Sequence, residues 1–273
     1  MQKIINKVNS IKKGNFKRTF KNLKVFDYKH FINQILDEDF VVQILDNISN
    51  GTVLILKNSI DAKYLDKHID ILNNSQNSRE AISPKIVDGI KNGYYISENL
   101  SNEGYKTVDK SFYFFAWNND ETGLFDKIYH IYKPLKILNG LKEDELSKNI
   151  PSDGIIERLH IINYPVGRGL ISKHYDPANV SIINFGIYGT EYGVDYDEGG
   201  FFVENDNGQK INIDKEIKKT DLVLFFPGMI HGVDPITLKY KLDKKNCHGR
   251  WFFNLNIVQS HHNKDRQRTV SVK

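Results

Sequence analysis

Apolar residues recur at mixed three- and four-residue spacing from Tyr28-Lys-His-Phe-Ile to Ile48, which predicts a helix over residues 28–49. Asn50-Gly51 then marks a turn, and the β-branched, apolar run Thr52–Leu56 reads as a buried strand. Asn58-Ser59 is placed to cap a helix running through Lys63–Leu72, with His68 on its outer surface rather than in a ligand set. Residues 73–110 are rich in Asn, Ser, Glu, Gly and Lys and lack periodicity, so they read as loop with short elements, a candidate flap. Lys110–Trp117 is a strongly aromatic strand candidate whose Phe115 and Trp117 belong in the core. Residues 121–139 return to helical spacing, with Pro134 expected to kink the helix or end it early.

From Ile155 the texture changes to short apolar runs separated by turn residues. The candidate strands are 155–164, 170–176, 180–188, 199–204, 209–213, 221–226, 230–235 and 250–258, with Asn207-Gly208 as a hairpin signal. Eight such strands in two facing sheets make a double-stranded β-helix, the cupin-like jelly roll. The expected architecture is mainly β with flanking helices, the jelly-roll core being preceded by an α-helical region. The expected divisions are a basic arm at 1–25, a helical flank with a few core strands at 26–150, the catalytic core at 151–260 and a polar tail at 261–273.

Composition changes this picture little: 40% hydrophobic and 26% charged residues are those of a soluble globular protein, and no apolar run reaches membrane-helix length. The single cysteine, Cys247, excludes an internal disulfide framework and suits a reducing, cytoplasmic setting. The net charge of +4 is concentrated in residues 1–25, which carry Lys3, Lys7, Lys12, Lys13, Lys17, Arg18, Lys21 and Lys24 and no acid. That stretch reads as a solvated arm or first helix, or as a weak contact with an anionic surface. No aromatic-interleaved motif accompanies it, so no specific nucleic-acid partner is expected.

The candidate chemistry lies between Tyr164 and Arg250. His174 and Asp176 have the same parity and point to one face of a strand; His231 follows the apolar run Leu222–Phe226 and the Pro227-Gly228 turn. If the roll closes, two imidazoles and a carboxylate can clamp one face of a metal ion such as ferrous iron and leave positions open. Alternation in 250–258 puts Arg250, Phe252, Asn254 and Asn256 on one face and Trp251, Phe253, Leu255 and Ile257 on the other. An inward arginine must meet an anion: a dicarboxylic cosubstrate, or a structural Asp or Glu. Cys247, His248, His261 and His262 form no zinc spacing with one another.

With Tyr164-x-x-Gly167, His174-x-Asp176, Thr220-Asp221-Leu-Val-Leu-Phe225 and His231-Gly232, residues 155–258 resemble the iron(II)/2-oxoglutarate-dependent oxygenases, especially the prolyl-hydroxylase branch. The resemblance implies Fe(II) held by His174, Asp176 and His231, with 2-oxoglutarate and O2 as cosubstrates. It implies Arg250 on the far carboxylate of 2-oxoglutarate and Tyr164 hydrogen-bonded to it. The basic residue follows the second histidine more closely in the family than Arg250 follows His231 here. Lys239 and Lys241, with Lys245, lie in that gap and are rivals of Arg250. The implied reaction is hydroxylation of a C–H bond of a small molecule with release of succinate and CO2.

For the substrate, Arg158 and His160 share parity with Tyr164, and Asn254 shares it with Arg250; Arg158 suits a substrate carboxylate. Tyr192 and Glu198 belong to an acidic, tyrosine-rich loop, Tyr188–Glu198, that reads either as solvated surface or as a clasp. An amino acid, peptide or sugar would fit. Two alternatives stand beside this: the same chemistry on a peptide or polysaccharide with the basic arm as tether, and a cupin-like metal- or ligand-binding protein without oxygenase activity.

Overall fold

In the computed structural model, which describes residues 1–14, 17–75, 85–98, 105–238 and 249–272, the chain opens with helix α1 (Gln2–Lys13). Ile4, Val8 and Ile11 fall on one face of α1 and are buried in the main core. The basic opening is therefore a docked amphipathic helix and not a free arm. Lys3 pairs with Asp39 and Lys7 with Asp46, on helix α3 (Glu38–Ser49), so much of its charge is answered locally.

The stretch expected to be one helix is broken in two and preceded by a strand. Strand β1 (Asn22–Asp27) runs parallel to β2 (Thr52–Lys57), with α2 (Tyr28–Gln34) and α3 forming the crossover. The break has a local cause: the Asp37 carboxylate accepts from the backbone N–H of Asp39, and this side-chain alternative starts a new helix. Leu36, at the corner, is 85% exposed. Helix α4 (Ala62–Asn74) begins at Asp61, whose side chain accepts from the Tyr64 N–H, and not at Asn58-Ser59. His68 is buried within it, against expectation, with Nδ1 on the Tyr64 carbonyl and Nε2 on that of Thr122. It is a core histidine and not a ligand.

The segment read as loop contains strand β3 (Gly93–Glu98), paired antiparallel with β4 (Thr107–Phe115). Trp117 stacks on the buried Phe115 with ring centroids 4.9 Å apart. Helix α5 (Leu124–Tyr132) gives way to a 3-10 helix over Lys133–Asn139, with Pro134 in its first turn, as the missing N–H dictates.

Eight strands then build the roll: β5 (Ile155–Tyr164), β6 (Leu170–Tyr175), β7 (Asn184–Tyr188), β8 (Glu198–Glu204), β9 (Lys210–Asn212), β10 (Leu222–Phe225), β11 (His231–Thr237) and β12 (Arg250–Gln259). One sheet runs β1-β2-β10-β7-β12-β5-β4 and the facing one β6-β11-β8-β9; β4 pairs with both β5 and β6 and joins them. This interleaving of strands distant in sequence is the double-stranded β-helix. Within residues 261–273, expected as a polar tail, β13 (Val270–Ser271) pairs with the edge of β6. Among the described residues no helix is long and apolar enough to cross a membrane.

Burial alternates along the strands that carry the site. In β12 the outer Trp251, Phe253, Leu255 and Ile257 sink into the core with the helices, while the inner Phe252, Asn254 and Asn256 stay half-buried. The outer face of the larger sheet thus packs against the helices, while its inner face carries a second buried cluster over β2, β7 and β10 and half-buried polar side chains on β12. Gly186 makes room for one inner side chain, because a Cβ there would stand 1.8 Å from the Phe252 ring.

Truncating the packed side of α1 should cost far more than removing its charges. Ile4→Ala is expected to destabilise the protein by about 2–5 kcal/mol, whereas Lys3→Ala should cost less than about 1 kcal/mol. Urea unfolding midpoints of the two variants check this.

Candidate metal centre

His174 on β6 and His231 on β11 are directly opposed in the antiparallel register, their ring centroids 4.2 Å apart. Asp176 lies just beyond the end of β6, where its N–H donates to the Pro227 carbonyl at 2.9 Å. Nδ1 of His174 bonds the Ser172 carbonyl at 2.7 Å and Nδ1 of His231 the Met229 carbonyl at 2.8 Å. A carbonyl only accepts, so both Nδ1 atoms carry the proton and both Nε2 atoms present lone pairs. The His231 Nε2 stands 3.6 Å from Asp176 Oδ2 and the His174 Nε2 4.0 Å from Oδ1. The three ligand atoms lie within 4.8 Å of one another. Two neutral imidazoles and one carboxylate so gathered fit a divalent transition metal with open coordination positions.

The surroundings hold this arrangement. Burial, together with His174 beside it, brings His231 down to about 4, so the ring stays neutral. Burial opposes the Asp176 charge, but the two histidines and two hydrogen bonds outweigh it and hold the carboxyl below its ordinary range. Those bonds come from Asn184 Nδ2 to Oδ2 at 3.0 Å and from Thr269 Oγ1 to Oδ1 at 2.6 Å. The ring of Tyr105 stacks on His174 at 5.7 Å.

Arg250, at the start of β12, is 2% exposed, and the anion it meets is Asp214. Nε and Nη2 reach the two oxygens of Asp214 at 2.8 and 3.4 Å, and Nη2 also donates to the Tyr188 hydroxyl at 2.6 Å. Burial opposes the guanidinium charge, but Asp214 and the Tyr188 and Tyr196 hydroxyls outweigh it and keep the group charged. Asp214 also accepts from the Tyr196 hydroxyl at 2.6 Å and the Phe201 N–H at 2.9 Å. Gly200, at φ 100, leaves it space, since a Cβ there would come within 2.5 Å of Oδ2. Tyr164 pairs with Arg250 across the sheet, the guanidinium lying 5.6 Å from its ring centroid. The rivals Lys239, Lys241 and Lys245, like Cys247 and His248, lie outside the described residues.

Of the substrate candidates, the register brings three together: Asn254 lies opposite His160, and Arg158, two residues from His160, lies opposite Asn256. The other two stand apart. Glu198 pairs with Thr237, at the opposite end of β11 from His231, and is exposed. Tyr192 packs edge-on against Tyr196 with ring centroids 5.7 Å apart, so Tyr188 and Tyr196 of that loop are buried while Glu198 is not. Sequence reading passed over Asp214, Asn184 and Thr269. Only Asp214 left a trace there, as the lone acid closing the run Ile211-Asn-Ile-Asp214, of the right type to answer a buried arginine.

No protein-family profile matches the sequence, and no curated protein matches it. Solved structures do. A prolyl hydroxylase from Trichoplax adhaerens, in complex with a hypoxia-inducible-factor peptide fragment, superposes with a TM-score of 0.51 at 14% identity, over 82% of this chain and 90% of that one. A Pseudomonas putida prolyl-4-hydroxylase gives 0.48 at 11% identity over 79% and 97%. A full-length Neurospora crassa protein solved in complex with alpha-KG gives 0.49 at 12% over 91% and 87%. At 14% identity the likeness to the first of these is one of fold.

Two outcomes are expected. Asn184→Leu or Thr269→Val should weaken metal binding by roughly 10- to 100-fold while sparing the three ligands, which a competitive chelator titration measures. The unfolded chain protonates His231 near pH 6.5, whereas the folded chain refuses the proton down to about 4. Protonation in that window therefore favours unfolding, so metal-free stability should fall as pH drops from 6.5 toward 4 and be retained above it. The urea midpoint as a function of pH, in wild type and His231→Gln, reads this directly.

Proposed function

We propose that the protein is an Fe(II)/2-oxoglutarate-dependent dioxygenase that hydroxylates a C–H bond of a small organic molecule. The observation that carries the proposal is the convergence of the His174, Asp176 and His231 ligand atoms on the inner wall of a jelly roll. With Fe(II), 2-oxoglutarate and O2 bound, such a centre converts a C–H to an alcohol while 2-oxoglutarate becomes succinate and CO2.

The chain's own contribution is binding, orientation and the exclusion of water. His174 and His231 offer Nε2 because their Nδ1 protons are committed to backbone carbonyls. Asn184 and Thr269 hold Asp176 by one oxygen each. Arg250 is the proposed partner of the far carboxylate of 2-oxoglutarate. Asp214 and Tyr188 engage Nε and Nη2, which leaves the two N–H donors of Nη1 for a second carboxylate. Tyr164, beside the guanidinium, is the proposed hydroxyl contact. A cytoplasmic location belongs to the same proposal and is supported by the single Cys247.

The Arg250–Asp214 pair favours one second reading. An arginine whose charge is already answered needs no cosubstrate, so a metal-binding jelly roll without oxygenase activity is the competitor. An anaerobic titration with Fe(II) and 2-oxoglutarate decides between them. The dioxygenase should give the visible charge-transfer band of the chelate, lost in His174→Ala and needing at least roughly tenfold more 2-oxoglutarate in Arg250→Gln. Bound metal with no band in the wild type would leave the competitor.

A further inference from the structure

Arg158 differs from Arg250 in the respect that matters for a ligand. It projects from β5 onto the inner face, its Nε is cut off from solvent, and among the described residues that atom has no hydrogen-bond partner. Among the same residues Arg158 forms no ion pair either. Burial and a second cation, Arg266, work against its charge, while Tyr113 and Tyr105 favour it. Asp109, on the paired strand β4, is occupied: it accepts from the hydroxyls of Thr107 and Ser111, each at 2.6 Å. A half-buried cation whose Nε is shielded from water is costly to leave without an anion unless something else brings one.

The neighbours of Arg158 supply complementary groups. Ser111 gives its proton to Asp109, so its oxygen accepts from His160 Nε2 at 2.8 Å. That fixes the neutral His160 tautomer with Nδ1 as an acceptor, and burial and the Arg158 charge keep the ring neutral. His160 stacks on Tyr113 at 4.5 Å, and the Arg158 guanidinium lies 5.0 Å from the same ring centroid. Across the strand pair stand the amides of Asn254 and Asn256, and the Oδ1 of each is buried without a partner among the described residues. One guanidinium donor with several unanswered acceptors beside it is the complement of a carboxylate flanked by an N–H or O–H donor.

We propose that Arg158, His160, Asn254 and Asn256 form the substrate subsite, and that the substrate is a small amino or hydroxy acid. Its carboxylate lies on Arg158, and its amino or hydroxyl group donates to His160 Nδ1 and the asparagine amides. Tyr105 links this subsite to the metal centre, since its ring stacks on His174 and it lies close enough to Arg158 to influence its charge. The inference rests on the dioxygenase reading only for calling the ligand a substrate; the binding of the acid does not depend on iron.

The test is ligand-dependent thermal stabilisation of the full chain, without added iron, by the free proteinogenic amino acids and their α-hydroxy analogues. Their carboxamides serve as controls, and the affinities of the responders are then measured by calorimetry. At least one free acid should bind and its carboxamide should not. Arg158→Gln should weaken that acid by roughly 10- to 100-fold while keeping the Fe(II)/2-oxoglutarate band. Because no acid of the described fold answers Arg158, Arg158→Gln should unfold at the same urea concentration as wild type or a higher one. The proposal is overturned if no acid in the set binds, if carboxamides bind as well as acids, or if Arg158→Gln is less stable than wild type. It is also overturned if 2-oxoglutarate itself binds through Arg158 and is indifferent to Arg250→Gln, which would make Arg158 the cosubstrate's anchor. Acid binding without a charge-transfer band would remove the dioxygenase reading and keep this one; a band without acid binding would do the reverse.

Discussion

The register between β6 and β11 is the constraint from which the site follows. His174 and His231 face each other because those two strands pair in that register. Side chains on a strand alternate with a period of two, so a slip of one residue would turn one imidazole to the opposite face and dissolve the ligand set. What pins the register is apolar: β11 also pairs with β8, whose Phe201, Phe202 and Val203 are buried. The candidate ligand set is thus maintained by hydrophobic packing directly beside it: Val203 pairs with His231, and the Phe225 ring lies 5.0 Å from the His231 ring.

The two inward arginines show how one residue type on one wall can serve different ends. Arg250 is enclosed by Asp214, Tyr188 and aromatic rings, so it is held rigidly and its charge is already answered. Arg158 has aromatic company but, among the described residues, no acid. The first is a fixed donor whose direction is set by the protein. The second is a charge whose energy depends on what enters the cleft. The two differ in partners and in burial: Arg250 is buried with its acid, and Arg158 is half-buried without one among the described residues.

Much of this was legible in the chain. The eight strands of the roll follow from short apolar runs between turn residues, because strand burial is written locally in alternation. The same parity argument placed Arg250, Phe252, Asn254 and Asn256 on one face, where they lie. His174 and Asp176 were legible for the same reason. What was not legible depends on closure in three dimensions. Asp214 is 36 residues from Arg250, and Thr269 is 93 from Asp176. No local pattern reports such distances. The break of the 28–49 helix at Asp37 was missed because its periodicity survives the interruption. The burial of His68 depends on the Thr122 carbonyl, supplied by a distant loop. In the tyrosine-rich loop, Tyr188 and Tyr196 reach the distant Asp214–Arg250 pair and are buried there, a contact no local pattern reports.

Thr269 has a consequence for how the molecule comes into being. A chain leaves the ribosome N-terminus first, and its earlier segments fold as they emerge. His174 and Asp176 appear well before His231, and the hydroxyl that fixes Asp176 follows only after β12 is made. During synthesis the roll therefore passes through a stage with its first two ligands present and neither the third nor the Thr269 brace. Metal captured at that stage would be loosely and indiscriminately held. The three candidate ligands and the Thr269 hydroxyl on Asp176 are together only in the finished chain, with β13 paired to β6.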